Sequence, residues 1–181
     1  MSTLETNLIQ PATGTALTVG ASGDTITVPS GATLTAPGHV LQVVTGTRTT
    51  TSSTNSTSFV TADLSASITP SSSSNKVFIM ASFDVAGENP YSGGAPQWTL
   101  YRDSTNLGNA TNGMASLYTN VSGWAAVGLC LTNLDSPSST SSITYAVYQR
   151  TQNASYAAVL GADYNGAGQT VASITLLEVA G

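Results

Sequence analysis

Charge is the scarcest property of this sequence: only 7% of its 181 residues are Asp, Glu, Lys or Arg, against roughly 25% in an average soluble protein. The cations are Arg48, Lys76, Arg102 and Arg150, scattered along a chain of net charge −5. Phosphate contacts draw on clustered Lys and Arg, so nucleic acid is not an expected partner. One histidine, His39, cannot build a two-histidine metal centre and leaves a single residue for any Ser-His-Asp or Cys-His arrangement. It reads as a loop residue. One cysteine, Cys130, excludes an intrachain disulfide. Within Val127 to Leu131 it reads as a small buried hydrophobe, because no base or cation adjoins it in sequence to activate a thiolate.

Long apolar runs are missing too. None approaches the roughly 20 residues needed to span a bilayer, and Met1 to Gln10 has neither the basic nor the apolar region of a signal peptide. Membrane insertion is not expected, and synthesis in a cytosol is. The nine carboxylates are spread singly, so Asp84 with Glu88, or Asp103 with Asp135, would have to meet in space to supply the acid pair of glycoside hydrolysis. Asp163 to Gly166 has the start of a calcium loop without its later ligands and reads as a tight turn. No nucleotide-binding glycine motif occurs. The expectation is a protein without catalytic residues, metal or cofactor.

What the chain does have is Ser and Thr, 53 residues in all, together with 40% hydrophobic residues, seven Tyr and two Trp. Disordered chains lack such aliphatic and aromatic content, so the chain should fold. Thr, Val, Ile and Tyr favour a half-buried pleated surface, while Gly, Ser, Asn and Pro supply turns. The fold class read from this is all-β.

The first 38 residues are periodic. Thr15 to Val19, Asp24 to Val28 and Ala32 to Ala36 repeat one alternating unit, with Leu17, Ile26 and Leu34 at its centre and Val19 and Val28 at its ends. The spacing predicts one mini-strand per rung. Each rung offers few aliphatic side chains, at roughly 1.5–3 kcal/mol apiece, too little to offset chain entropy. Stacked rungs need neighbours, and another copy of the same segment is the simplest one. Residues 1–38 are therefore read as an N-terminal peptide and a repetitive β stem that makes the protein a homotrimer. The alternative is an edge meander packed on the main domain.

Residues 39–181 read as a sandwich or barrel. Expected strands are Val40 to Thr47, Ser58 to Leu64, Ala66 to Thr69, Lys76 to Val85, Gln97 to Arg102, Gly123 to Thr132, Ile143 to Thr151, Ser155 to Leu160 and Thr170 to Val179. In Lys76 to Val85 the odd positions form an apolar face, while Phe78 and Met80 make the other face apolar at its beginning. Tyr91, Tyr118, Tyr156 and Tyr164 lie in or beside expected loops, where rings could stack on a host surface glycan.

The residues resemble phage tail-fibre-like and head-decoration proteins, common among marine phages including those of cyanobacteria. Pro11 to Thr33 looks like their repetitive stem and Ile68 to Val77 like their hairpin, with Trp98 to Asp103, Leu134 to Pro137 and Ser173 to Val179 continuing the likeness. The resemblance implies a trimer with a jelly-roll-like antiparallel β-sandwich and no catalysis. It also implies a virion location after synthesis in the cytoplasm of an infected bacterial host. Other capsid or tail proteins would be partners through the N-terminal segment, short here at Met1 to Gln10. A carbohydrate-binding module shares the sandwich and the aromatic loops and is the alternative. A depolymerase is the third reading.

Overall fold

The computed structural model describes residues 9, 13–15, 19–25, 27–30, 36–88, 94–118, 123–163 and 168–181. The chain divides into two compact units, Met1–Thr35 and Ala36–Gly181. Among the described residues there is no helix. The second unit carries β1 (Val40–Arg48), β2 (Ser52–Thr54), β3 (Val60–Ile68), β4 (Lys76–Glu88), β5 (Gln97–Arg102), β6 (Thr105–Asn106), β7 (Ala115–Ser116), β8 (Trp124–Asp135), β9 (Ile143–Arg150), β10 (Ala158–Leu160) and β11 (Ala172–Val179).

The strands form two antiparallel sheets. In the first, β4 is the hub: β8 pairs along one of its edges from Val77 to Glu88, and the other edge carries β11 over Lys76–Ser82 and β10 over Val85–Gly87. β1 lies outside β11, and β2 outside β10. The second sheet runs β3-β9-β5, with β6 and β7 on the far edge of β5. The long pairings are nested: β1 with β11, β3 with β9, β4 with β8, β5 with β6. This is the winding of a jelly-roll-like sandwich, a long hairpin rolled so that successive strands fall in alternate sheets.

Alternation drives the packing. Val77, Ile79, Ala81, Phe83 and Val85 of β4, with Ile174 and Leu176 of β11, meet Leu64 and Ile68 of β3, Trp98 and Leu100 of β5, and Tyr145 and Val147 of β9 in one core. Burial of each such aliphatic side chain stabilises by about 1.5–3 kcal/mol. Gly46 is required where β1 crosses over β3, because a Cβ there would stand 2.0 Å from the Ser65 carbonyl oxygen.

Three expectations are corrected. Residues 58–69 hold one strand, β3, because a bulge between Thr61 and Leu64, with Asp63 at φ 55°, lets pairing to β9 continue past the irregularity. Ile68 to Val77 is not a hairpin: β3 and β4 belong to different sheets, so Pro70 to Asn75 forms an arch between them. The arch is held by Glu178, 1% exposed at the end of β11. Its carboxylate accepts from Ser71 N (2.7 Å), Ser71 Oγ (2.8 Å), Asn75 Nδ2 (2.6 Å) and Gln42 Nε2 (2.6 Å). Burial pushes the Glu178 pKa up, but these hydrogen bonds outweigh it and hold the carboxyl below its ordinary range.

Cys130 is the third correction, for it is exposed. β8 is an edge strand, and residue parity turns Leu131 into the core and Cys130 outward, opposite Ser82.

Candidate functional site

In the Met1–Thr35 unit, Leu17, Ile26 and Leu34 lie outside the described residues. Val19 and Val28 are 61% and 45% exposed. None of the described residues of this unit lies in a strand, and the centres of all three expected mini-strands lie outside the described residues. A strand segment needs a partner for its N–H and C=O groups, and within this single chain Thr15, Val19, Asp24, Thr25, Thr27 and Val28 are given none by strand pairing. The Gly-Ala-Ser-Gly turn is formed: Ala21 O accepts from Asp24 N at 3.0 Å, and Asp24 Oδ2 accepts from Ala21 N at 2.7 Å.

Of the four tyrosines expected in loops, Tyr91 and Tyr164 lie outside the described residues. Tyr118 is 66% exposed. Tyr156 is half-buried on the chain at Gly94, where an added Cβ would stand 2.7 Å from the Tyr156 ring. No described pocket brings Tyr118 and Tyr156 together.

The residues searched for chemistry are occupied with structure. The His39 ring bonds the Ala36 carbonyl. Asp135 takes Arg102 Nη1 on both oxygens, at 2.9 and 2.8 Å, and the Tyr145 hydroxyl at 2.7 Å. This ties the edge of the first sheet to β5 and β9 of the second. Burial first, then the bond to Asp135, pushes the Tyr145 phenol far up. Asp103 Oδ1 accepts from Thr144 N at 3.0 Å. Among the described residues no group of three or more His, Cys, Asp or Glu could hold a metal ion.

The outer face of the second sheet carries an aromatic pair the sequence reading did not single out. Tyr101 and Tyr148 stack with ring centroids 3.9 Å apart and planes at 20°. Burial, and then the neighbouring Tyr148, raise the Tyr101 pKa. The Arg150 guanidinium sits 5.2 Å from the centre of the Phe59 ring and donates from Nε to Gln97 Oε1 at 2.7 Å. Sugar stacking needs a free ring face. Here each tyrosine covers one face of the other, and Arg150 covers one of Phe59.

The outer face of the first sheet is different. Register aligns Val43 of β1, Leu177 of β11, Phe78 of β4 and Leu134 of β8 in one row across four strands. Val43 is 59% and Leu134 52% exposed, and Met80 in the next row is 42% exposed. Beside that row lie Thr45, Thr175, Met80 and Thr132, and then Thr47, Ser173, Ser82 and Cys130. No charge falls in these three rows. Isolated apolar residues are normal on a surface, but a contiguous apolar row marks an interaction surface. The signal for it was the second apolar face of β4 at Phe78 and Met80. Its extension onto β1, β8 and β11 depends on register, which those residues alone do not disclose. Further along β4, Gly128 lies opposite Asp84, and a shallow depression opens there between Ser82, Leu129, Cys130 and Val171.

Neither a protein-family model nor a curated protein matches the chain.

Proposed function

We propose that this chain is a non-enzymatic structural protein of a bacteriophage particle that works by self-assembly, as a homotrimeric surface appendage. The observation that carries the reading is the Met1–Thr35 unit: it forms a compact unit of its own, its repeat positions Val19 and Val28 are exposed, and no described residue of it has strand pairing. Apolar repeats left open in one chain are what a neighbouring copy would cover. The three uncharged rows on the outer face of the first sheet support self-association, since interfaces are depleted of charge at their centres. The sequence resemblance supplies the phage setting, with capsid or tail proteins as further partners through the N-terminal segment and a host glycan as the target of the exposed Tyr118.

Sedimentation and light scattering of the full chain test the assembly, and a trimer is expected. A monomer at every concentration up to about 100 μM, far above a micromolar Kd, overturns the reading. Copy number in purified particles then separates two placements. A head-decoration protein is abundant, and its removal weakens the capsid; a tail-fibre protein is present in few copies, and its removal abolishes adsorption.

A further inference from the structure

The outer face of the first sheet is complementary to itself. Along β4 the outward side chains are Lys76, Phe78, Met80, Ser82 and Asp84, alternating with the buried odd positions. Large residues fill the row through Phe78 (Val43, Leu177, Leu134), and small ones the row through Ser82 (Thr47, Ser173, Cys130). Met80 lies midway, flanked by Thr45, Thr175 and Thr132. The ends carry opposite charge, and neither Lys76 nor Asp84 has an ion pair among the described residues.

We propose that this face binds a second copy of the same chain, antiparallel, about a two-fold axis lying in the interface and crossing β4 at Met80. The axis turns β4 of one copy over β4 of the other. The Phe78 row of each copy then enters the Ser82 row of its partner, beside the depression at Gly128, and Lys76 of each meets Asp84 of the other. An axis along the strands sets Lys76 against Lys76 instead. Lys76 and Asp84 are eight residues apart, about 26 Å on a strand rising about 3.3 Å per residue, and four strands span about 19 Å. The face is therefore about 500 Å² per copy, about 1,000 Å² in total, at the lower end of specific interfaces. Sheets packed face to face sit about 10 Å apart with side chains interdigitated, as large opposite small allows. The pairing is expected to be reversible and concentration-dependent. Its residues all lie in the sandwich, so it is separate from the N-terminal assembly proposed above.

Charge reversal tests it on the full chain, by sedimentation velocity across a concentration series at low ionic strength. Two-fold symmetry places each pair twice in the contact, so K76D alone or D84K alone creates two like-charge contacts and is expected to weaken pairing about tenfold or more. The double variant K76D/D84K restores both pairs and is expected to recover to within about threefold of the parent, since the ion pairs themselves contribute little and only their sign changes. Pairing indifferent to the single reversals, or a double variant as weak as the singles, overturns the proposal. A trimer insensitive to all three variants overturns this contact and leaves the stem reading standing. A dimer that follows the reversal pattern sustains the contact and overturns the trimeric stem.

Discussion

Trp98 and Gln149 lie directly opposite each other on β5 and β9, both fully buried, and each keeps one side-chain polar atom unpaired: Nε1 of the indole and Oε1 of the amide. One donor and one acceptor thus share the same stretch of core. The amide nitrogen of Gln149 reaches Ser52 Oγ at 3.1 Å, so half of the side chain is satisfied. A buried unpaired polar group costs about 1–3 kcal/mol, against about 0.5–1.5 kcal/mol for the bond that is made. Gln149→Met is therefore expected to leave stability unchanged or raise it by up to about 1 kcal/mol. Urea denaturation measures this, and a loss above about 2 kcal/mol contradicts the unpaired state of Oε1.

Glu178 makes a contrasting prediction. Its folded pKa lies below its unfolded value of about 4.3, so its contribution is present above that value and lost as pH falls through the lower, folded one. Hydrogen bonds to a charged group are worth about 1.5–3 kcal/mol each. Glu178→Gln should destabilise by at least about 2 kcal/mol at pH 7. It should also flatten the acid limb of the stability profile below about pH 4.5. Equal acid sensitivity in parent and variant would assign that limb to other carboxylates.

The Asp135 clamp joins the sheets at the same end of the first sheet, since Glu178 and Asp135 both lie opposite Val77. Removing one partner leaves Arg102 and Tyr145 short of an acceptor, and Asp135→Asn should cost about 1–3 kcal/mol, because the pair is only partly buried. Tyr145→Phe should cost about 1 kcal/mol, and a double-mutant cycle between the two should show coupling. Since the folded phenol titrates above its ordinary value of about 10, its contribution is complete below that value and falls away as pH rises through the higher, folded one. Additive losses in the cycle would mean that the hydroxyl and the carboxylate act independently.

Cys130 should react with a water-soluble disulfide reagent in the folded protein, at a rate close to that of the denatured chain. Cys130→Ser should keep the fold within about 0.5 kcal/mol, as surface substitutions do. Protection of the thiol in the monomeric protein would contradict the exposed edge position. Protection that appears only as concentration rises would report pairing across the Ser82 row.

Much of the sandwich is legible in the sequence, because burial on one face writes alternation into β4, β9 and β11. Val77 to Val85, Ile143 to Gln149 and Ile174 to Glu178 show it directly, with odd or even residues buried throughout. The two- and three-residue strands β2, β6 and β7 are not legible, for they exist only where a neighbour supplies the ladder. The Pro70 to Asn75 connection is written in the same residues as a hairpin turn, and only Glu178, more than 100 residues later in the chain, makes it an arch. Cys130 misleads because an apolar run reads as buried on both faces, whereas alternation turns Leu131 into the core and Cys130 onto the outer face. The Tyr101–Tyr148 stack and the Val43–Leu177–Phe78–Leu134 row fail for a related reason. Each is a property of register between strands distant in sequence. Of the expected assembly residues, Leu17, Ile26 and Leu34 fall outside the described residues, while the row on β4 was half visible at Phe78 and Met80.

The nested pairing has a consequence for how the molecule is made. Because β1 is completed only by β11, the first strand of the sandwich waits for the last one to leave the ribosome, and the central strand β4 waits with it for the same neighbour. Sheets dominated by such distant pairings fold slowly, and until closure the apolar edges of β1 and β4 stand open to neighbouring nascent chains. Synthesis therefore separates folding from assembly in time: a copy can present its outer face to a partner only after its final strand is in place.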